Sequence, residues 1–315
     1  MITEQAYTEY KPMLFGLAYR MLGSAADAED VVQDVFARML RMEADQVRNE
    51  KAYLAKMTVN RSLNLLRSAR RLRETYVGPW LPEPLPDHAP DVAKDPAERK
   101  EELGYAYLVM LQELTPTERA VFILKESLGF DYREIAGMLG RTETGCRKAF
   151  SRAKQKTEGR LPSAAMEVRH AESRERFVEA FLQATDTGRF EPLVALLLNE
   201  VRLVSDGGGK VRAALNPIVG ADRVRAFFKG LAAKGRFRNG FRRVRIGGET
   251  ALVMENEGRV EIAVCLEWEP GGSRVQTIYM MLNPDKLRSL TEAAGEHSRS
   301  DPEPVPRVNG VNRHQ

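Results

Sequence analysis

Residues 115–156 of this 315-residue chain constrain it most, because three short helices are written there with their start and stop signals. Thr115, Pro116 and Glu118 combine a Thr N-cap, Pro at the first helical position and Glu at N3, a capping box with a pre-set first turn. Ala120, Val121, Leu124 and Leu128 follow on one helical face that ends at Gly129. Asp131 and Glu134 repeat the box ahead of Ile135, Met138 and Leu139, and Gly140 stops that helix. Thr142 can cap a third helix, which carries Arg147, Lys148, Ser151, Arg152 and Lys154 around Ala149 and Phe150. Two short helices, a tight glycine-containing turn and a basic second helix make a helix-turn-helix whose basic member fits a DNA major groove. A helical hairpin with a solvated basic face has the same periodicity, so the rest of the chain has to decide.

The net charge of +4 is small, and it supports a nucleic-acid partner only where it is clustered, as at 147–154. No run approaches the roughly 20 apolar residues of a membrane span. No N-terminal stretch has the layout of a signal peptide, so a cytoplasmic location without membrane contact is expected. Cys146 and Cys265 lie far apart and read as packed thiols. Two cysteines are too few for a structural zinc site, and neither metal nor cofactor is expected.

At the N-terminus, Tyr10, Leu14, Leu17, Ala18 and Met21 stand at helical spacing before Gly23 and Ser24 break the register. Over residues 27–42, Val32, Val35, Phe36, Met39 and Leu40 form an apolar stripe, with Asp30, Gln33, Asp34, Arg38 and Arg41 opposite. Asp27, Glu29 and Asp30 sit in the first turn, where the helix dipole favours negative charge. A helix over 50–72 starts acidic and ends with Arg61, Arg67, Arg70, Arg71 and Arg73, alongside Asn60, Ser62 and Asn64. Asn and Ser side chains read base edges and Arg holds phosphates. A solvated basic helix end that complements its own dipole is the other reading.

Six prolines within 78–99 prevent regular structure and mark a linker. Its Trp80 is either a groove-binding aromatic or a ring tucked against a nearby helix. Gly159 and Pro162 mark a second linker. Beyond it, helices are predicted over 172–185, with Phe177, Val178, Phe181 and Leu182 inward, over 191–197, and over 222–233, with Val224, Phe227, Phe228 and Leu231 inward. Strands are predicted over 201–206, 242–246, 251–255, 260–268 and 274–282. The clearest alternates Val260, Ile262, Val264, Leu266 and Trp268 with Glu261, Ala263, Cys265 and Glu267. Helices followed by a meandering antiparallel sheet argue an α+β fold in which a curved sheet wraps a helix. The polar residues 292–315 read as a disordered tail.

DAEDVVQDVF at 27–36, a basic Asn-containing helix, TPTER at 115–119 and YREIAGMLG at 132–140, in that order, resemble the extracytoplasmic-function RNA polymerase sigma factors. The resemblance covers residues 1–160. It implies a multidomain chain with two all-α sigma domains, region 2 at 1–75 and region 4 at 101–160, joined by a linker at 76–100. It further implies binding to core RNA polymerase, at the β′ clamp helices and the β flap, and to promoter DNA. By the same likeness, Asp30, Gln33, Asp34 and Phe36 match the polymerase-docking motif, while the helical period places Phe36 in the core rather than in contact. Asn60, Arg61, Asn64 and Arg67 match the −10 recognition helix, and Arg147, Lys148, Ser151 and Arg152 the −35 helix.

After a linker at 161–170, residues 171–291 resemble the cone-shaped α+β SnoaL-like domain fused to one subgroup of these factors. WLPEP at 80–84, DGGGK (Asp206, Gly207, Gly208, Gly209, Lys210) and NPDKL (Asn283, Pro284, Asp285, Lys286, Leu287) mark that subgroup. The family reading is regulation in cis without a separate anti-sigma factor. DGGGK and NPDKL are then expected to share one rim of the sheet and to hold the linker around Trp80; the plainer reading is a turn and a helix cap. Catalysis would need a positioned base. Asp206 and Glu267 are the candidates, but Asp206 before three glycines reads as a turn residue and no histidine falls in the sheet, so the chain is not read as an enzyme. A pocket that senses a small molecule fits better, although no residue names the ligand. The rival reading, a ligand-responsive helix-turn-helix regulator that never joins polymerase, would have no use for residues 27–40.

Overall fold

The computed structural model describes residues 4–41, 49–87, 104–158, 160, 164–270 and 272–300. Gly159, Pro162, linker residues 88–100 and residues 301–315 lie outside these, as do the side chains of Arg70, Arg71 and Arg73.

Three helices open the chain: α1 (Glu4–Leu22), α2 (Ala25–Met39) and α3 (Glu50–Glu74). Gly23, at φ +72°, turns the chain between the first two, and Ser24 caps α2 by accepting from the Asp27 N–H at 3.3 Å. The predicted stripe is buried at Val32, Val35, Phe36 and Met39, but Leu40 is 70% exposed. It falls at the C-cap, where the helical period no longer holds it to the core.

The second helical group is α4 (Tyr105–Glu113), α5 (Pro116–Glu126), α6 (Tyr132–Leu139) and α7 (Glu143–Thr157). Both capping boxes form as predicted, and Gly140 ends α6 in the left-handed region at φ +60°. The two groups share one continuous core, in which Leu17, Val59, Phe122 and Ile135 are each almost wholly buried.

The rest is α8 (Ala164–Thr187), α9 (Glu191–Val194), β1 (Leu197–Asp206), β2 (Ile218–Val219), α10 (Ala221–Ala233), β3 (Arg242–Ile246), β4 (Glu249–Asn256), β5 (Arg259–Trp268), β6 (Val275–Met281), a 3-10 turn at Pro284–Leu287 and α11 (Arg288–Ser300). Helix therefore begins at Ala164, inside the expected linker, and α11 continues beyond residue 292, where the tail was expected to start. The sheet order is β2-β1-β6-β5-β4-β3. Strands β3 to β6 form the predicted meander, but β6 closes beside β1 in parallel, so the sheet is mixed rather than wholly antiparallel.

Both faces of this sheet are covered. Phe177 and Phe181 of α8 and Phe228 of α10 pack on Ile262, Val264 and Leu266. On the other face Ala263, Cys265 and Tyr279 meet Leu81 of the linker, Tyr105 of α4 and Leu290 of α11. The period of two in β5 thus separates two buried faces instead of a core face from a solvent face.

Candidate functional site

The linker is not free. Residues 81–86 are all buried, and they run across the outer face of the sheet. At the β1/β6 end, Asp206 is fully buried and its carboxylate accepts four hydrogen bonds. Its Oδ1 takes the Tyr76 hydroxyl at 2.6 Å and the Gly208 N–H at 2.9 Å. Its Oδ2 takes the Leu81 N–H at 2.9 Å and the Lys286 ammonium at 2.8 Å. Four donors fill the acceptor capacity of a carboxylate. Lys286 also donates to the Leu81 carbonyl at 2.6 Å and lies 4.1 Å from the Trp80 ring centre.

DGGGK and NPDKL therefore meet at one place, and Trp80 lies half-buried beneath the lysine. The glycines matter to that approach. Gly208 is at φ +61°, and a Cβ there would overlap the Asn283 side chain; a Cβ at Gly209 would come 3.3 Å from Val77. Asn283 donates to the Tyr76 hydroxyl at 3.0 Å and caps the 3-10 turn by accepting from the Asp285 N–H. Lys210 pairs with Asp285 at 2.5 Å, and that contact holds the Asp285 carboxyl below its usual range. Gly207 packs against the backbone of Val211, Pro284 starts the turn, and Leu287 is buried in the outer-face core.

Further along the linker, Glu83 joins three elements. Its carboxylate accepts from the Ala25 N–H at the start of α2 at 2.8 Å and from the Ser289 hydroxyl of α11 at 2.8 Å. Its carbonyl accepts from Tyr19. Burial raises the Glu83 pKa. Pro86 makes an isolated bridge to Ile246, and Asp87 pairs with Arg245 at 3.1 Å, so the described part of the linker reaches the far edge of the sheet.

Of the docking residues, Asp30 and Gln33 are exposed on α2, while Asp34 pairs with Arg61 of α3 at 2.7 Å. An expected docking residue and an expected −10 residue thus occupy each other. Asn60 donates through Nδ2 to the Met138 carbonyl of α6 at 3.0 Å, which ties the −10 helix to the helix-turn-helix. Asn64 and Arg67 are exposed. Ser62 is buried and donates to the Thr58 carbonyl, so it is not available to read a base.

On α7, Arg147, Lys148, Ser151 and Arg152 are exposed. Arg147 pairs with Glu143 at 2.6 Å and lies over Tyr132 at 4.5 Å. Among the described residues, Lys148 and Arg152 make no salt bridge.

Glu267, considered above as a base, lies on the outer face, where Arg160 meets it at 2.9 Å and the Tyr279 hydroxyl donates to it at 2.6 Å. Arg160 also pairs with Glu113 of α4 at 2.7 Å, so Glu267 serves an interdomain ion cluster. Cys146 and Cys265 are buried free thiols, and burial pushes both thiol pKa values up. No cluster of metal-binding side chains occurs among the described residues. None of their helices is long and apolar enough to cross a membrane.

Sequence reasoning missed Tyr76, Glu83 and Arg119. Arg119, two per cent exposed, donates to the Met21 carbonyl at the end of α1 and to Gln112, a cation placed at a helix C-terminus where the dipole favours it. It stands in TPTER, beside residues already recognised as a cap, and that placement was the available signal.

A helix with an exposed acidic face, a basic Asn-bearing helix and a capped helix-turn-helix share one core, and their matches place the chain in the sigma-70 class of initiation factors. Residues 6–72 match sigma-70 region 2 and residues 105–157 match sigma-70 region 4. The chain is 32% identical over 226 residues to ECF RNA polymerase sigma factor SigJ of Mycobacterium tuberculosis, covering 70% of each. It is 33% identical over 230 residues to probable ECF RNA polymerase sigma factor SigI of the same species, covering 70% of this chain and 73% of that one. The crystal structure of Mycobacterium tuberculosis SigJ matches at a TM-score of 0.70 and 26% identity, over 91% of this chain and 99% of that one. The chain belongs to the extracytoplasmic-function (ECF) RNA polymerase sigma factors, with a SnoaL-like C-terminal domain. It directs transcription initiation and is not an enzyme.

Proposed function

We propose that this sigma factor is held in an off-promoter arrangement by its own C-terminal domain, and that joining core polymerase in the cytoplasm opens it. In the open form, Asp30, Gln33 and Asp34 meet the β′ clamp helices and region 4 meets the β flap. Asn60, Arg61, Asn64 and Arg67 then read the −10 element, and Arg147, Lys148, Ser151 and Arg152 the −35 element. The observation that carries this reading is the contact between Asn60 and the Met138 carbonyl. Elements named −10 and −35 lie about 25 base pairs apart, roughly 85 Å at 3.4 Å per step. An α3 bound to the helix-turn-helix that carries α7 cannot read one element while α7 reads the other. The 30 residues from Thr75 to Gly104 reach about 100 Å when extended, enough to span that distance once the sheet lets them go.

Because the C-terminal domain grips the linker and α4, and the linker in turn holds α2 through Glu83, the restraint is intramolecular and no separate anti-sigma factor is needed. The test is transcription by core polymerase with the full chain on a library of genomic fragments, with transcript 5′ ends sequenced. Shared −10 and −35 sequences upstream of those ends are expected, and their loss with Asn60→Ala and Arg147→Ala. Transcript ends with no common upstream element would contradict the assignment.

A further inference from the structure

The face of the sheet opposite the linker encloses a cavity of about 520 Å³. Phe227 and Leu231 of α10 form one wall, and Ile262 and Met280 of the sheet, with Leu282 just past β6, form the other. Residues 211–214, which follow the DGGGK turn, close a third side. Among the described residues no Asp, Glu, His, Ser, Thr or Tyr lines it, so these walls offer neither a catalytic base nor a neutral hydrogen-bonding side chain. Its polar groups are three exposed cations, Arg212, Lys234 and Arg236. Among the described residues, none of the three is paired with a carboxylate. Phe227 and Leu231, which the helical period assigns to the core, are only partly buried because they face this space.

We propose that the cavity binds a small organic anion with an apolar body, such as a medium-chain carboxylate. Apolar walls of this size suit a drug-sized molecule or a smaller one, with a few polar groups setting its orientation. Three like charges at the opening repel organic cations. A neutral apolar ligand would fill the walls but leave the rim unanswered. The place is also consequential: Leu282 directly precedes Asn283, and Val211 directly follows Lys210, so an occupant sits one residue from both halves of the linker clasp.

Calorimetric titration of the full-length protein tests this with decanoate, decanol and decylammonium, and it needs neither polymerase nor promoter. Decanoate is expected to bind one per chain, about tenfold more tightly than decanol, with decylammonium weakest; rim ion pairs of modest strength give a factor of that order. Arg212→Gln with Lys234→Gln and Arg236→Gln is expected to level decanoate and decanol. Gly230 lines the cavity from α10, and a Cβ there meets nothing within 4 Å, so Gly230→Phe is expected to fill the space and abolish binding of both. Equal affinity for decanoate and decanol in the wild type, no binding at millimolar concentration, or binding that survives Gly230→Phe would each overturn the proposal.

Discussion

Asp206 and Lys286 form a 2.8 Å ion pair whose two halves grip the same linker residue, the carboxylate holding the Leu81 N–H and the ammonium its carbonyl. Asp206 is fully buried, and the Lys286 side chain is 13% exposed. The pair is largely buried, and it sits where the last strand of the domain meets the segment joining the two DNA-reading modules. Any motion that separates those modules along the linker has to break it or carry it along.

Lys286→Ala leaves the Asp206 charge buried without its cation. Removing one member of a buried pair typically costs about 3–5 kcal/mol. The variant is expected to unfold at lower urea concentration, with linker release seen as a change in Trp80 emission in a Trp268→Phe background. Asp206→Asn combined with Lys286→Met is expected to recover part of the loss, which a double-mutant cycle reads directly.

Gly208 and Gly129 both have positive φ, but only Gly208 has a neighbour where a Cβ would go. Gly129→Ala is expected to cost about 1 kcal/mol from backbone strain alone. Gly208→Ala is expected to cost more, because the Asn283 side chain has to move. Equal shifts in Tm for the two variants would show that the close approach to NPDKL carries no weight.

Glu83 gives the closed form a pH dependence of known sign. Burial raises its folded pKa above the ordinary value, so the folded chain binds more protons than the unfolded chain in between. Its contribution is present in full below the unfolded pKa and is lost as pH rises through the raised one. Glu83→Gln keeps acceptor and donor atoms without the charge. The slope of stability against pH above about 4.5 is expected to be less negative in that variant, measured by urea unfolding across the acid range.

Asp34 and Arg61 are both more than a third exposed, so their pair is worth at most about 1 kcal/mol and polymerase can exchange it at little cost. Asp30→Lys with Asp34→Lys is expected to leave helicity and Tm nearly unchanged while weakening pull-down of core polymerase. On the DNA side, Arg147→Ala with Lys148→Ala is expected to weaken binding to −35 duplex and to lower the salt slope by about one for each phosphate no longer neutralised.

The local elements were legible in the sequence because their signals are local. The Thr115 and Asp131 capping boxes and the stripe from Val32 to Met39 are spacings of three or four residues, and the structure has them. The Leu81 N–H bound to Asp206 was not legible. A backbone donor has no residue type to announce it, and its acceptor lies 125 positions away. Periodicity likewise assigns Phe227 and Leu231 to an inward face, but it cannot say whether that face is filled or hollow. The helix α4 escaped notice because Tyr105 to Leu111 is apolar nearly all round, and its N-cap, Gly104, has no side chain to bond the first turn.

The two DNA-reading modules are expected to be held together in the free chain and to separate on the polymerase. Spin labels at Asn64 on α3 and Ser151 on α7, both exposed, measure this by pulsed dipolar spectroscopy in the free protein, in the Lys286→Ala variant and in the assembled holoenzyme. One short, narrow distance is expected in the free wild type, a broadened and longer distribution in the variant, and a wide separation in the holoenzyme. The same short distance in the free chain and the holoenzyme would contradict the account.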